Sequence, residues 1–271
     1  MKISIDAGHN CTPDIGASGL KQEDNLTKEV VGLVVQKLAA LGHSVIDCTP
    51  YGQTFSNVGA SLAYRCAIAN QNQTELHLCI HFNAGGGEGT EIYAVSSKAK
   101  EYAQKILGSI CALGYPNRGV KDGSHLYVVN QTNMPCCLVE CSFVDNANDM
   151  GKYNAETFAN AIVKAVTGQD SVSVTPAAAQ AETYNYAYLQ KQIGTVQDNI
   201  PGPLTLSKCP LTQMGANGNI VRWLQFKLGI SVDGIFGRQT LIAVQNFQTK
   251  NGLAADGIVG PNTWRKLLGL Y

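Results

Sequence analysis

Apolar and polar positions follow two different spacings along the first 168 residues. Short apolar runs of strand length, such as KISIDAG at the start of the chain, are separated by longer segments in which apolar residues recur every three or four positions. One such segment, QEDNLTKEVVGLVVQKLAALG, ends at Gly42, as a helix would. Strands that alternate with helices predict an α/β domain, with a mostly parallel mixed sheet flanked by helices, that ends near Gly168. The other predicted strands are HSVIDCT, ELHLCIH, GTEIYAV and MPCCLVECSF, and the other predicted helices are LAYRCAIAN, KAKEYAQKILGSICALG and ETFANAIVKAVTG.

The pattern changes after Gly168. Residues 169–203 begin with small and polar residues without periodicity, which predicts a linker, and TYNYAYLQKQIG within it can form a short helix. Residues 204–271 contain an internal repeat, VDGIFGRQT and ADGIVGPNT, in which an Asp-Gly turn precedes an apolar pair, a glycine and a helix start. Apolar residues at helical spacing around Leu224, Val244 and Trp264 predict a small all-α domain of three helices.

The composition is that of a globular protein with ample core, because 45% of the 271 residues are hydrophobic and 15% are charged. The formal net charge is zero, so nothing favours nucleic acid as a partner, and no apolar run is long enough for membrane insertion. Several of the nine cysteines lie in apolar strands, which indicates reduced, buried thiols rather than a disulfide framework or a cysteine zinc site. Because the sequence runs from Met1 directly into a strand pattern, we expect synthesis in the cytoplasm without a signal peptide.

Polar side chains stand at the carboxyl ends of three predicted strands. His9 follows KISIDAG, His81 ends ELHLCIH, and Glu140 follows the apolar run MPCCLV, while Glu23 lies near the start of the helix after His9. In open α/β sheets such strand ends share one rim, where ligands bind. Two imidazoles and a carboxylate are the ligand set of a catalytic zinc with an open fourth position, and a second carboxylate would serve as a proton shuttle. These residues therefore indicate a zinc hydrolase.

Each of these residues also has a structural interpretation. A single histidine at a strand end is commonly a hydrogen-bonded structural residue, and Glu23 could simply complement a helix dipole. Glu140 is harder to explain in this way, because an unpaired carboxylate in an apolar strand is costly. His77 shares a strand face with His81 but lies about 13 Å from it, too far to share one metal ion. We interpret the remaining histidines as structural: His43, His77 and His125.

Together these segments closely resemble the zinc-dependent N-acetylmuramoyl-L-alanine amidases, a family typified by sporulation amidases and several phage endolysins. The resemblance covers Met1 to about Gly168 and rests on motifs in the family's order: IDAGH, GASG, LAYRCAIAN, IHFNA, GTEIY, NRGVK, LYVV and VECSFVDN. It implies that His9, Glu23 and His81 bind Zn²⁺ and that Glu140 is the catalytic acid/base. Family members often have a longer glycine-rich loop after the first histidine, where this chain has Asn-Cys-Thr-Pro.

The C-terminal unit resembles the peptidoglycan-binding domain of many wall hydrolases over roughly residues 204–271. The two resemblances imply a peptidoglycan hydrolase that cleaves the amide bond between N-acetylmuramic acid and the L-alanine of the stem peptide. The expected role is that of a phage endolysin that reaches the wall of a Gram-positive host after lysis or through a holin pore; a mother-cell or germination amidase of a spore former is the alternative. Two other interpretations stay open: a zinc peptidase that cuts within the stem peptide, and a catalytically dead wall-binding protein. The sequence does not indicate an oligomeric state.

Overall fold

The computed structural model describes residues 1–170, 184–230, 232 and 234–270. The chain divides into two compact units, Met1–Ser173 and Val174–Tyr271. The part of the predicted linker at 171–183 lies outside the described residues. All nine cysteines are free thiols, and all but Cys111 and Cys209 are buried. Of the helices within the described ranges, none combines the length and the apolarity needed to cross a bilayer.

The first unit is built on one six-stranded sheet. Its strands are β1 (Lys2–Ala7), β2 (Ser44–Asp47), β3 (Leu76–Asn83), β4 (Thr90–Ala94), β5 (Asn117–Asp122) and β6 (Cys136–Phe143). They lie in the order β2-β1-β3-β6-β4-β5, and every neighbouring pair is parallel except β4 with β6. The mostly parallel mixed sheet is therefore confirmed. The edge strand β5 was not among the predicted strands, because its sequence NRGVKD is polar and its residues are partly or fully exposed.

Helices cover both faces of this sheet. They are α1 (Glu23–Ala40), α2 (Val58–Gln71), α3 (Ser97–Cys111), α4 (Tyr127–Gln131), α5 (Ala147–Lys152) and α6 (Ala155–Thr167). The largest apolar core lies between the sheet and α1, α3 and α6. A smaller cluster on the opposite face packs residues of α2 and α4 against β3 and β6. Several helices begin where an Asn or Ser side chain accepts a hydrogen bond from the first turn: Asn57, Ser96, Asn146 and Asn154.

A buried polar network fixes the carboxyl end of β1. The two ring nitrogens of His77 lie 2.9 Å from Ser4 Oγ and 2.9 Å from Asp6 Oδ2, which supports the structural interpretation of His77. Arg65 Nη1 donates to Asp6 Oδ1 and to the Ala7 carbonyl at 2.8 Å each, and Arg65 Nη2 donates to the His9 carbonyl. Burial alone would raise the pKa of Asp6, but the nearby Arg65 and His77 outweigh it and hold that pKa well below its usual range. The end of β1 is thus held in place by charged hydrogen bonds in addition to its apolar packing.

The second unit contains the three predicted helices and two more within the described residues. The predicted helices are Asn219–Leu228, Arg238–Lys250 and Pro261–Leu267, and the others are Tyr186–Ile193 and Pro203–Lys208. Its core centres on Trp223 and Trp264, whose ring centroids lie 5.7 Å apart. The fold class of a small all-α unit is confirmed.

Three buried glutamines give the second unit a threefold internal repeat. Gln190, Gln225 and Gln248 each donate through Nε2 to an isoleucine carbonyl ten residues later and to a threonine hydroxyl fifteen residues later. Each also accepts, through Oε1, the backbone N–H nine residues later. That ninth residue is glycine in two repeats and Asn199 in the first, and all three have φ between 61° and 79°. The sequence repeat seen twice in DGIFG and DGIVG therefore occurs a third time.

This additional copy, the first along the chain, begins at Gln190 and lies mostly in the segment that the sequence assigns to the linker. Leu189 is fully buried in the core of the second unit, and Asn185 accepts a hydrogen bond through its carbonyl oxygen from Trp223 Nε1 at 3.0 Å. The short helix there belongs to the second unit by its contacts. The predicted domain boundaries at 168 and 204 remain predictions, but these contacts favour a second boundary close to 184.

Candidate active site

His9 stands where β1 ends, and the backbone there is unusual. His9 and Asn10 both have positive φ, 61° and 64°, a conformation that non-glycine residues rarely adopt and that often marks functional sites. The preceding Gly8 has no side chain because a Cβ there would lie 2.2 Å from the ring of His81. His9 Nδ1 lies 2.7 Å from Asp14 Oδ1, which leaves Nε2 free to face the neighbouring acid. The turn thus presents one imidazole nitrogen toward the sheet rim.

Glu23 is the first residue of α1, and its side chain is only 3% exposed. Its Oε1 lies 3.4 Å from His9 Nε2 and 3.1 Å from His81 Nδ1. Backbone N–H groups fix the carboxylate, because Phe82 donates to Oε1 at 3.0 Å and Ala17 donates to Oε2 at 2.8 Å. Burial raises the pKa of Glu23, but hydrogen bonds from the two histidines outweigh burial and hold that pKa far below its usual range.

The adjacent acid, Asp24, has a different role. Its Oδ1 accepts hydrogen bonds from the backbone N–H groups of Gly16 at 3.0 Å and Asn10 at 3.3 Å. Asp24 therefore holds the loop between β1 and α1, while Glu23 faces the histidines.

The structure brings His9, Glu23 and His81 together as a single cluster, in which one ligand atom from each lies within 4.8 Å of the others. Two ligands bound 2.0–2.1 Å from a tetrahedral zinc lie about 3.3 Å apart, and the carboxylate-to-imidazole distances of 3.1 and 3.4 Å match this. Two nitrogen donors and one oxygen donor are also a typical ligand set of catalytic zinc. The donor set therefore fits Zn²⁺.

The cluster also explains how protons and a metal would compete. Burial lowers the pKa of His9, but hydrogen bonds with Asp14 and Glu23 outweigh burial and raise that pKa to about 10. A cation that binds Nε2 would displace this proton, so metal binding at His9 would release a proton at neutral pH.

Glu140 lies beside this cluster on β6, directly opposite His81 of β3. Its Oε2 is buried, and no hydrogen-bond partner for it exists among the described residues. Burial, reinforced by the charges of Glu23 and Glu91, raises the pKa of Glu140 to about 7, although His81 and His9 oppose the shift. A carboxyl group with this pKa can both accept and return a proton near neutral pH.

Two acids that the sequence analysis did not assign also shape the site. Asp14 Oδ2 accepts from Ser61 Oγ at 2.5 Å while Oδ1 orients His9, which makes Asp14 a bridge between α2 and the cluster of His9, Glu23 and His81. Glu91 of β4 is buried and lies directly opposite Glu140. Neither residue carries a spacing signal, because Asp14 lies in a loop and Glu91 follows only a Gly-Thr pair.

The glycine loop after β3 is also held by one carboxylate. The backbone N–H groups of Gly85 and Gly86 both donate to Asp145 Oδ2, at 2.8 and 2.9 Å. A Cβ on Gly87 would lie 2.3 Å from the ring of Phe143. The loop therefore places no side chain at these three positions beside the rim of the sheet. The other two histidines lie apart from the cluster: His43 contacts the N-terminus, and His125 is exposed and packs edge-on against Tyr93.

Comparison with known families gives two matches. Residues 3–168 match the N-acetylmuramoyl-L-alanine amidase family, and residues 218–267 match the putative peptidoglycan binding domain. The second match covers two of the three glutamine repeats and leaves the first outside.

Individual relatives agree with the first match. An uncharacterized protein of Clostridium perfringens is 36% identical over 161 residues, which are 56% of this chain and 47% of that protein. The N-acetylmuramoyl-L-alanine amidase CwlM of Bacillus licheniformis is 31% identical over 174 residues, which cover 60% of this chain and 65% of CwlM. The chain thus matches about half to two thirds of the length of these relatives.

A solved structure shows the same fold. The catalytic domain of the CD27L endolysin targeting Clostridia Difficile superposes with a TM-score of 0.59 and 27% sequence identity, over 63% of this chain and 98% of that domain.

Proposed function

The chain belongs to the N-acetylmuramoyl-L-alanine amidase family, and from this premise we propose that it hydrolyses the amide bond between N-acetylmuramic acid and the L-alanine of the stem peptide, with Zn²⁺ as its cofactor. His9, Glu23 and His81 would hold the zinc ion. The observation that carries the proposal is the juxtaposition of this cluster with Glu140, whose buried Oε2 lacks a hydrogen-bond partner among the described residues.

A bound zinc ion would acidify a water molecule and polarise the scissile carbonyl. Glu140 would take the proton of the attacking water, since its pKa of about 7 lets it do so at neutral pH. Glu140 would then return that proton to the departing amine of L-alanine. Asp14 would keep His9 Nδ1 hydrogen-bonded, so that Nε2 remains the ligand atom.

The proposal is tested by digestion of purified cell walls with and without a chelator. The expected products are L-alanine amino groups, freed only by the metal-loaded protein, with no matching increase in reducing sugar. A zinc peptidase would instead free the amino group of another stem residue. A catalytically dead wall-binding protein would free none.

We propose further that the second unit binds peptidoglycan and concentrates the catalytic unit at its insoluble substrate. The match to the putative peptidoglycan binding domain supports this role. Wall pull-down of the full chain and of the first unit alone tests it, and equal retention of the two would refute it.

For the biological role we propose a phage endolysin that acts on the wall after release from the cytoplasm. The likeness of the first unit to an endolysin catalytic domain supports this, and a sporulation or germination amidase is the alternative. Expression in a bacterial host with and without a holin tests the proposal, because lysis should require the pore. Lysis that is independent of the holin would contradict it.

A further inference from the structure

Polar side chains continue across the sheet beyond Glu140. The strand register pairs His81 with Glu140 and Glu140 with Glu91, so these three side chains lie in one row on the same face of β3, β6 and β4. Neighbouring strands are about 4.8 Å apart, which places Glu91 beside Glu140 on the side away from His81. The row ends at the edge strand β5 in two cations, Arg118 and Lys121.

Glu91 holds both cations. Arg118 Nε and Lys121 Nζ lie 2.7 and 2.5 Å from the same oxygen, Oε2 of Glu91, whose side chain is only 3% exposed. The other oxygen, Oε1, accepts from Asn83 Nδ2 at 3.1 Å and from Tyr93 OH at 3.0 Å. Burial raises the pKa of Glu91, but these hydrogen bonds outweigh burial and hold that pKa below its usual range. Glu91 is therefore an ionised, fully hydrogen-bonded anchor.

The two cations exceed what Glu91 needs for charge balance. One cation would neutralise the carboxylate, so the group of Glu91, Arg118 and Lys121 carries one excess positive charge. The side chains of Arg118 and Lys121 are 36% and 38% exposed, and thus remain accessible from solvent. The guanidinium of Arg118 also lies over the ring of Phe143, 4.8 Å from its centroid, which stabilises its position. In the part of the chain that the structure describes, Nη1 and Nη2 of Arg118 donate no hydrogen bond.

We propose that Arg118 and Lys121 bind a carboxylate of the stem peptide, on the peptide side of the scissile amide, and that Glu91 positions them. This inference rests on the proposed function. The cationic groups contact Glu91 and extend from it toward β5, so they lie one to two strand spacings, about 5–10 Å, from Glu140. An extended peptide advances about 3.3–3.6 Å per residue, and the first residue of the stem has its carboxyl group in a peptide bond. The carboxylate therefore belongs to the second or third residue of the stem. A guanidinium pairs well with a carboxylate, whereas a carboxamide leaves the positive charge unmatched.

The experiment compares soluble, uncross-linked glycan strands whose stem peptides carry free carboxylates with the same strands after conversion of those carboxylates to carboxamides. The measured quantity is the ratio of kcat/KM for the two forms. We expect the native protein to favour the free acid by about 10-fold, the effect of one partly exposed charge-assisted hydrogen bond. Arg118→Gln combined with Lys121→Met should abolish the preference, and Arg118→Lys should keep part of it. Lys98→Met is the matched control, because Lys98 is an exposed lysine that pairs with Glu101 on α3.

The ratio separates substrate binding from a merely structural role, which would lower both rates together. A native protein that cleaves both forms equally, or a folded double variant that keeps the full preference, overturns the inference and leaves the amidase activity intact. Cleavage of neither form overturns both this inference and the proposed function. If the double variant does not fold, the native ratio and its reduction in Arg118→Lys decide. Strands that carry a carboxamide only at the second residue then assign the carboxylate to the second or the third position.

Discussion

Replacement of Glu140 by glutamine separates the chemical role of this side chain from its cost to the fold. Glutamine has nearly the same shape but cannot take a proton from water. We therefore expect cleavage of cell walls by the zinc-loaded protein to fall by about 10²- to 10⁴-fold, the usual contribution of general acid–base catalysis. Zinc content should not change, because Glu140 is not part of the ligand cluster.

The pKa of Glu140 sets the effect on stability in the metal-free protein. Its displacement from 4.5 to about 7 corresponds to about 3 kcal/mol. The folded state holds this proton more tightly than the unfolded chain does. Ionisation of Glu140 therefore lowers the free energy of unfolding by nothing below pH 4.5, by more as the pH rises, and by the full amount above pH 7. Glu140→Gln should therefore stabilise the metal-free protein by up to about 3 kcal/mol at pH 8 and by about 1 kcal/mol or less at pH 5.

The assay is thermal unfolding of the first unit in chelator at both pH values, together with wall clearing by the zinc-loaded proteins. Glu101→Gln is the matched control, because Glu101 is an exposed glutamate on α3 and its replacement should give no such dependence on pH. Normal wall clearing by Glu140→Gln would remove this residue from the mechanism. A stability difference that does not change between pH 5 and pH 8 would refute the argument from burial, and loss of zinc would make Glu140 a ligand.

Three further predictions concern the metal and the second unit. We expect elemental analysis to find one zinc ion per native chain and to find its loss in His81→Ala; undiminished zinc would exclude His81 as a ligand. Asp14→Asn should weaken zinc binding by about 10- to 100-fold in competition with a chelator, because Asp14 orients His9, and unchanged affinity would contradict that role. A fragment that begins at residue 184 should fold and bind cell walls, whereas one that begins at 204 should melt at lower temperature, because it lacks Leu189 and Gln190. Equal melting temperatures for the two fragments would show that the first repeat is not part of the folded unit.

The sequence predicted the elements whose patterns are local. The buried strands and the amphipathic helices of the first unit were predicted because apolar spacing follows from which face each element buries. Strand β5 could not be predicted in this way, because it lies at the sheet edge and its polar side chains serve Glu91 rather than the core. The first glutamine repeat was not recognised because Asn199 stands where the other two repeats have glycine, which removes the Asp-Gly signature while the positive φ persists.

The candidate site was only partly accessible from sequence. His9, His81 and Glu140 are visible as polar residues at strand ends and Glu23 as an acid near the start of the next helix, and the resemblance to a known family assigned a role to each. The structure brings these four side chains together, and their chemical roles stay predictions. The supporting residues depend on tertiary contacts, because Asp14 reaches His9 through a loop and Glu91 meets Glu140 only after β4 pairs antiparallel to β6.

Hydrolysis of purified cell walls in ¹⁸O-labelled water tests the central claim most directly. Water that attacks the lactyl carbonyl leaves its oxygen in the new carboxylate on N-acetylmuramic acid, and the released peptides begin with L-alanine. We predict one ¹⁸O atom in that lactyl carboxylate for each peptide released, measured by mass spectrometry of the separated sugar and peptide fractions. Label in a carboxylate within the stem peptide, or at the anomeric carbon of the sugar, would contradict the account.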